Sequence, residues 1–342
     1  MGCPSGRIND NRFRGHHKTF SPVKVDKFVL AIIAFVFLAW LFPQPAGGHS
    51  GIILDHISTT GISLIFFFYG LRLSSEKIKL GLKNWKLHIL VQTTTFFLFP
   101  LIVLLLYPFI QNEQQEILWL GLFFLAAVPS TVSSSVIMVS IGKGNIPGAI
   151  FNASISGIIG IIVTPLWMGV FIQQTQPGFD FTEVYFRLVL GIILPVIIGV
   201  IMQRRLYSFA LKYSRELSTF DKSVILLIVY RSFATSFNDA VFKSVGIIDL
   251  TILVIIVVVL FFLLYGLVYA FSALLKFKRE DKITALFCGS QKSLVHGTVF
   301  ANILFAGFHA AGLILIPLML FHSLQIFVIS IIAARYGSKY KE

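Results

Sequence analysis

Long apolar runs, repeated along almost the whole chain, constrain this sequence more than any other feature. The hydrocarbon core of a bilayer is about 30 Å thick, and an α-helix needs about 20 apolar residues to cross it. By this length criterion the sequence predicts ten membrane-spanning segments: 28–42, 56–71, 87–110, 117–141, 149–173, 184–202, 223–237, 249–275, 283–305 and 309–334. Hydrophobic residues make up 56% of the chain and charged residues 13%, which excludes an ordinary soluble domain.

The distribution of Lys and Arg supports this division, because basic residues accumulate in short loops on the cytoplasmic side. Of the 28 Lys and Arg residues, 24 fall in the two tails and in every second loop, whereas only Lys243 falls in a loop on the opposite side. Both termini are therefore predicted to be cytoplasmic, in an integral protein of the plasma (inner) membrane. Because topology accounts for the net charge of +13, we predict no nucleic-acid partner.

Ten segments can form two sets of five. Because each set has an odd number of segments, the two sets have opposite orientations in the membrane. The predicted organisation is a basic tail (1–27), a first five-helix repeat (28–173), a second five-helix repeat (184–334) and a C-terminal tail (335–342). The sequence marker of such repeats is a pair of interrupted segments at matching positions.

The fourth and ninth segments carry these interruptions. Pro129 and five hydroxyl residues interrupt the fourth segment, and a glycine, an amide and a charge interrupt the ninth around Lys292. Non-helical backbone at membrane depth requires partners from protein or cavity water, so the two breaks are expected to face each other. A simple kink at Pro129 is the alternative interpretation.

The residues at both breaks resemble a known family. The run Val128-Pro129-Ser130-Thr131-Val132-Ser133-Ser134-Ser135-Val136, with Gly144-Asn145 and Ala149-Ile150-Phe151-Asn152, is similar to the fourth-span signature of the bile acid:sodium symporter superfamily. The run Phe287-Cys288-Gly289-Ser290-Gln291-Lys292-Ser293-Leu294 resembles the ninth-span motif of its orphan branch, the solute carrier ten "member seven" type with its bacterial relatives. The resemblance implies a panel of segments one, two, six and seven beside a core of segments three to five and eight to ten.

The resemblance also implies binding residues. In sodium-coupled relatives, hydroxyl and amide groups of the fourth and fifth spans, a third-span glutamine and a ninth-span glutamate hold sodium. Carried over, Ser134 and Ser135 match sodium ligands, Gln92 lies near the third-span glutamine, and Asn152 lies close to the fifth-span positions. The candidate substrate- or ion-binding residues are Gln92, Pro129, Ser133, Ser134, Ser135, Asn145, Asn152, Ser290, Gln291, Lys292 and Ser293.

The ninth segment departs from the family pattern, because residues 283–305 contain no Asp or Glu. Hard cations prefer oxygen ligands that usually include a carboxylate, so the sequence argues against sodium coupling. Lys292 stands about ten residues from either end of this segment, and charges at such depth usually mark function. We therefore expect Lys292 to replace one coupling sodium ion and to attract an anionic substrate.

These features predict a secondary transporter that moves a small organic, anionic solute by alternating access at a crossing of two broken helices. Its partners are a small-molecule substrate and the lipid bilayer, with no resident cofactor, and sodium or protons stay open as the coupling ion. No sequence feature predicts an oligomeric state. A passive channel and an intramembrane hydrolase, with a serine activated by Lys292, are the alternatives.

Cysteine labelling tests the predicted topology. In a cysteine-free background, new cysteines near Gly48, Asn112 and Gly246 should react with a membrane-impermeant maleimide added outside, because these positions lie in external loops. Cysteines near Lys212 and Lys278 should react only after the membrane is permeabilised. External labelling near Lys212 would contradict the ten-segment topology.

Overall fold

The protein is described by a computed structural model that covers residues 27–73, 84–175, 181–243, 245–306 and 308–338. Most of the predicted basic tail (1–27), the last four residues of the predicted C-terminal tail and the side chain of Ser133 lie outside the described part. Every regular element among the described residues is helical. The all-α prediction is therefore confirmed.

The α-helices are numbered here in chain order. They are α1 (Lys27–Leu41), α2 (Gly48–Arg72), α3 (Trp85–Thr93), α4 (Phe99–Leu104), α5 (Glu113–Ala127), α6 (Ser133–Ile141), α7 (Ile146–Thr175), α8 (Phe181–Leu188), α9 (Leu194–Lys212), α10 (Ser214–Asn238), α11 (Ile247–Leu274), α12 (Arg279–Gly289), α13 (Leu294–Leu304) and α14 (Ala311–Ser338). Two π-helical segments, Thr94–Leu98 and Val189–Ile193, join α3 to α4 and α8 to α9.

Within the described residues, six helical stretches are long and apolar enough to cross a membrane. They are Gly48–Arg72, Trp85–Phe109, Ile146–Ile172, Tyr185–Lys212, Ile247–Leu274 and Ala311–Ser338. Large apolar side chains such as Ile255, Val259 and Phe262 project from α11 with more than half of their surface exposed, as expected of a face that contacts lipid. The chain is an integral membrane protein.

The second predicted segment starts too late, because α2 begins at Gly48 and not at residue 56. Its first two turns contain His49, Ser50 and Asp55, whose polarity conceals the helix from a hydropathy window. Gly48 itself adopts a positive φ of 57°, a conformation that glycine accepts without strain and that turns the chain into the helix.

Proline explains the π-helical segment before α4. Phe99 donates its N–H to the carbonyl of Thr94, five residues back, and Pro100 has no N–H to donate. The carbonyl of Thr95 therefore has no helical donor at either Phe99 or Pro100. This free acceptor lies in the membrane-embedded part of the chain and requires a donor from elsewhere.

Two pairs of short helices are each separated by a short non-helical stretch. Helix α5 ends at Ala127 and α6 begins at Ser133, while α12 ends at Gly289 and α13 begins at Leu294. At the first interruption Val128 is extended, with ψ 153°, because proline disfavours the helical conformation in the residue before it.

The helices pack as two groups. In the first group, α1 packs on α10, and α2 packs on α9 and α10. In the second group, α14 packs on α5, α6, α11 and α13, and α12 packs on α3, α6, α7 and α11. The groups meet where α10 contacts α13 and α14. Both interruptions belong to the second group.

Two glycines allow close packing of α2 on α9. A Cβ atom at Gly70 would meet the carbonyl oxygen of Val196, and one at Gly199 would meet the carbonyl oxygen of Phe67. Backbone cannot move aside as a flexible side chain can, so the helix axes would have to separate. This small-residue contact is typical of helix pairs in membranes.

Replacing Gly199 with Ala should destabilise the protein by about 1–3 kcal/mol, the usual cost of overpacking. The matched control is Gly266→Ala, because a Cβ at Gly266 meets nothing within 4 Å. The measurement is the thermal unfolding midpoint in detergent, followed by tryptophan fluorescence. Equal midpoints for the two variants would contradict the close α2–α9 packing.

Candidate functional site

The loop between α5 and α6 lies against the loop between α12 and α13, and we call this contact the crossing. The backbone N–H of Ser293 donates to the carbonyl of Pro129 at 2.9 Å. The hydroxyl of Ser130 donates to the carbonyl of Cys288 at 2.6 Å. These side chains and backbone groups are buried, so each bond joins the two interruptions in a medium without competing water.

The ammonium group of Lys292 lies at the centre of the crossing with no solvent exposure. Its Nζ donates to three backbone carbonyls, those of Thr95 at 2.8 Å, Ala126 at 2.6 Å and Val128 at 2.8 Å. The ring of Phe99 lies 5.0 Å from the same nitrogen, within cation–π range. Lys292 thus connects the ninth segment to the third and fourth.

These three carbonyls are available because the local backbone cannot use them. In a continuous helix Ser130 would donate its N–H to Ala126, but it donates to the hydroxyl of Ser156 at 2.9 Å instead. The Thr95 carbonyl is free because of Pro100 and the π-helical turn. Lys292 therefore caps the C-terminal end of α5, where the helix dipole also favours a cation.

The number of acceptors indicates the charge state of Lys292. A neutral amine has two protons to donate, whereas an ammonium group has three. Three carbonyl oxygens within 2.6–2.8 Å of Nζ therefore match the ammonium form. A charge without a carboxylate partner is thus stabilised by oriented backbone dipoles.

Gln325 holds the backbone of Lys292 in place. Its Oε1 accepts the N–H of Lys292 at 2.7 Å, and its Nε2 donates to the carbonyl of Lys292 at 2.8 Å. The remaining proton on Nε2 points to Nδ1 of His322 at 2.9 Å. The buried Gln325 amide replaces the helical partners that the interruption removes.

The fourth-segment serines differ in their bonding. Ser134 donates its hydroxyl to Oε1 of Gln291 at 3.2 Å and lies 3.1 Å from the hydroxyl of Thr131, so it spans the crossing. Ser135 is fully buried and donates to the carbonyl of Thr131 at 2.5 Å. Of the two predicted sodium ligands, Ser134 bonds to Gln291 across the crossing, whereas Ser135 bonds to the carbonyl of Thr131 and to the thiol of Cys288.

The ninth-segment serines also differ. Ser290 donates back to Leu286 at 2.5 Å and continues the pattern of α12. Ser293 begins α13 by accepting the N–H of His296 at 3.2 Å, and its hydroxyl lies 2.9 Å from Nδ1 of the same histidine. The Ser293–His296 pair therefore presents polar atoms at the start of α13.

Besides Gln291, the three other predicted amides lie in two places. Gln92 donates its Nε2 to both the carbonyl and the Oδ1 of Asn152 at 3.2 Å, and its own Oε1 is buried without a partner in the described part of the chain. Asn145 caps α7 and donates to Asp281 in the first turn of α12 at 2.7 Å. Asp281 lies nine residues before the break at Ser290, about 13 Å along the helix, so Asn145 does not face the crossing.

Two cavities lie along α2. One of about 340 Å³, which we call the crossing cavity, is lined by Tyr69 and Arg72 near the C-terminal end of α2 and by residues of the crossing. The other, of about 820 Å³, is the large cavity and is lined by Asp55 and Thr59 near the opposite end of α2. The cavities therefore open toward opposite ends of this helix.

The half-helices α6 and α13 both begin at the crossing cavity. Ser134 lies in the first turn of α6 and His296 in the first turn of α13, and both line that cavity. A helix N-terminus presents unpaired N–H groups and the positive end of its dipole. Two such ends at one cavity favour a negatively charged group.

Comparison with known proteins decides the family. The model of the SBF-like CPA transporter family (DUF4137) matches residues 26–338, nearly the whole chain. The chain belongs to the SBF-like CPA transporter family. It is therefore a membrane transporter with a small-molecule substrate, and the hydrolase alternative is set aside.

Individual relatives support this membership. The protein PA2026 of Pseudomonas aeruginosa is 34% identical over 314 residues, covering 92% of this chain and 93% of its own length. YfeH of Escherichia coli K12 is 32% identical over 91% of this chain and 93% of its own. Sodium/bile acid cotransporter 7 of Danio rerio is 31% identical over 91% of this chain and 93% of its own. The resemblance to the bile acid:sodium symporter superfamily is confirmed.

Three residues that bond at the crossing were not among the predicted ones. Ser130, Thr95 and Gln325 all bond across the crossing region. The sequence could have indicated Gln325, because an amide near the middle of an apolar segment needs a hydrogen-bond partner. The role of Thr95 comes from its backbone and is encoded only indirectly, by Pro100.

Replacing Lys292 with Met should keep an unbranched side chain as far as Cε and remove the donors of Nζ, leaving three buried carbonyls without partners. The expected loss of stability is about 3 kcal/mol or more, since each orphaned buried group costs about 1–3 kcal/mol. Denaturant or thermal unfolding in detergent measures it, with the exposed Lys243→Met as the control. Equal stability of both variants would contradict the capping role of Lys292.

Proposed function

We propose that this protein is a secondary transporter that carries a small organic anion by alternating access, with the crossing cavity as its substrate site. The ten segments form two inverted repeats of five, 28–173 and 184–334. The first helix group is the panel and the second is the core. The fixed charge of Lys292 occupies the position that a coupling cation would otherwise fill.

The position of the interruptions supports the repeat. The α5–α6 break falls in the fourth segment of the first set, and the α12–α13 break falls in the fourth segment of the second set. Each interrupted segment is followed by a long helix, α7 or α14. Paired discontinuous helices at matching positions are characteristic of inverted-repeat transporters, whose substrates bind between the repeats.

The charge around the crossing cavity supports an anionic substrate. Its lining contains the basic side chains Arg72, Lys222, His296 and His322 and one carboxylate, Asp221. Arg72 and Asp221 pair with each other at 2.9 Å, so the pair is neutral as a unit. The half-helix N-termini and Lys222 then give the cavity a positive potential, which favours carboxylate or phosphate groups.

The surroundings of Lys292 support transport without a coupling sodium ion. Its Nζ has three backbone oxygens at 2.6–2.8 Å, the type of ligand that a hard cation takes. A bound sodium ion would enter and leave this position, whereas a lysine cannot leave. The ammonium group therefore holds the two broken helices together without a bound ion.

The two cavities support alternating access. In the proposed orientation, which the distribution of basic residues supports, the C-terminal end of α2 and the crossing cavity lie on the cytoplasmic side and the large cavity lies on the opposite side. Both cavities have lining from α2 and α10 of the panel and from α13 of the core. Movement of the panel against the core would open one cavity and close the other. In this proposal both termini are cytoplasmic and the protein lies in the plasma (inner) membrane.

A thermal-shift screen with organic acids tests the substrate class. An acid that binds the crossing cavity should stabilise the folded protein by about 2.7 kcal/mol at a hundredfold excess over its Kd. The effect should be equal for sodium and choline salts, and it should vanish when Ser134 and Ser293 are both Ala. Ser330→Ala is the control, because its hydroxyl bonds locally to Phe327 away from the cavity.

The same assay separates the proposal from its rivals. Stabilisation by sodium over choline in the wild type would contradict the built-in cation, whereas sodium stabilisation gained only by Lys292→Ala would support it. For an acid found in the screen, uptake into proteoliposomes should accelerate when the vesicles are preloaded with the same acid. A passive channel would show no such acceleration.

A further inference from the structure

The amide of Gln325 is fixed in one orientation by its neighbours. It accepts the N–H of Lys292 at 2.7 Å and donates to the carbonyl of Lys292 at 2.8 Å. Rotating the amide by half a turn would bring Nε2 against the N–H of Lys292, donor against donor. It would also bring Oε1 against the carbonyl of Lys292, acceptor against acceptor. Nε2 therefore faces His322 in any arrangement that keeps the pair with Lys292.

This constraint fixes the proton on His322. Nε2 of Gln325 carries two protons, one for the Lys292 carbonyl and one directed at Nδ1 of His322, which lies 2.9 Å away. Nδ1 can accept this hydrogen bond only if it carries no proton itself. A proton added to Nδ1 would oppose the Gln325 donor, and rotating the amide would break both bonds to Lys292.

His322 also lies where protons can reach it. The residue is 7% exposed and lines the crossing cavity. The ring therefore joins the cavity on one side to the support of the ninth-segment interruption on the other. Its position on α14 places it in the second helix group, beside the break that it would control.

We propose that Nδ1 of His322 is the proton-binding site of this transporter. Binding of a proton there ends the hydrogen bond from Gln325, releases the amide from the backbone of Lys292 and loosens the interruption between α12 and α13. No bond other than the N–H bond at Nδ1 is made, and the proton comes from water in the cavity. Proton occupancy is thereby coupled to the conformation of the crossing.

Other titratable groups share the cavity with His322 in the described part of the chain. They are His296 on α13, Asp221 and Lys222 on α10, and Tyr69 and Arg72 on α2. Helices α5 and α11, which also pack on α14, contribute no side chain to this cavity, and α6 contributes Ser134 and Ile137. The geometry distinguishes His322 from these groups, because it alone accepts from the amide that holds Lys292.

Hydrogen–deuterium exchange of the 290–300 peptide tests the site in the purified full-length protein without substrate. Protection, corrected for the intrinsic pH dependence of exchange, should fall about tenfold between about pH 8 and pH 5.5, as expected from losing one buried hydrogen bond across the titration range of histidine. In His322→Asn, the Asn Oδ1 replaces Nδ1 as an acceptor and cannot titrate. Its protection should therefore stay constant.

His309→Asn is the control, because His309 pairs with Asp239 at the large cavity and should leave the pH response unchanged. A constant wild-type protection, or a His322→Asn variant that keeps the wild-type pH response, would overturn the proposal. The use of this proton in coupling rests on the proposed transport function, but the proton site does not. If the wild type shows the expected pH response but transports no organic acid, the proton site is supported and the proposed transport function is contradicted.

Discussion

The contact between the Lys292 ammonium group and three backbone carbonyls is the interaction on which the rest of the structure depends. Each carbonyl is free because a helix is interrupted, by Pro129 after α5 and by the π-helical turn before Pro100. Free carbonyls at this depth are costly unless a donor reaches them. Lys292 supplies all the donors from one atom, so the interruptions and the charge stabilise each other.

This arrangement explains why the crossing tolerates a charge without a carboxylate partner. An isolated ammonium group in hydrocarbon is very unfavourable, but three aligned carbonyl dipoles and the C-terminal end of α5 lower that cost. Gln325 then fixes the backbone of Lys292, and through His322 the same unit contacts the crossing cavity. The hydrogen bonds that pair the free backbone groups thereby connect the helix breaks to the proposed substrate and proton sites.

Much of the architecture could be predicted from the sequence, because hydropathy and helix breakers act locally. Apolar runs predicted a helical membrane protein, and Pro129 and Lys292 predicted that polar groups interrupt two segments. The sequence motifs also indicated the family. Helix ends were less predictable, as the polar first turns of α2 show.

The partners of the predicted site residues were harder to predict. A carboxylate or substrate is the obvious partner for Lys292, whereas its actual partners are backbone atoms, which have no signature of their own in the sequence. Hydroxyl residues look alike in sequence, yet Ser134 bonds to the amide of Gln291 while Ser135 bonds to the Thr131 carbonyl and to Cys288. Asn145 belongs to a helix cap, a role that its spacing to Gly148 encodes only locally.

The most direct test is nitrogen NMR of the protein labelled on its lysine side chains, with the Lys292 signal assigned by its absence in Lys292→Met. The account predicts a protonated, slowly exchanging ammonium nitrogen at neutral pH, with the same chemical shift in sodium and in choline chloride. A neutral amine signal, or a shift that moves when sodium replaces choline, would contradict a built-in cation at the crossing.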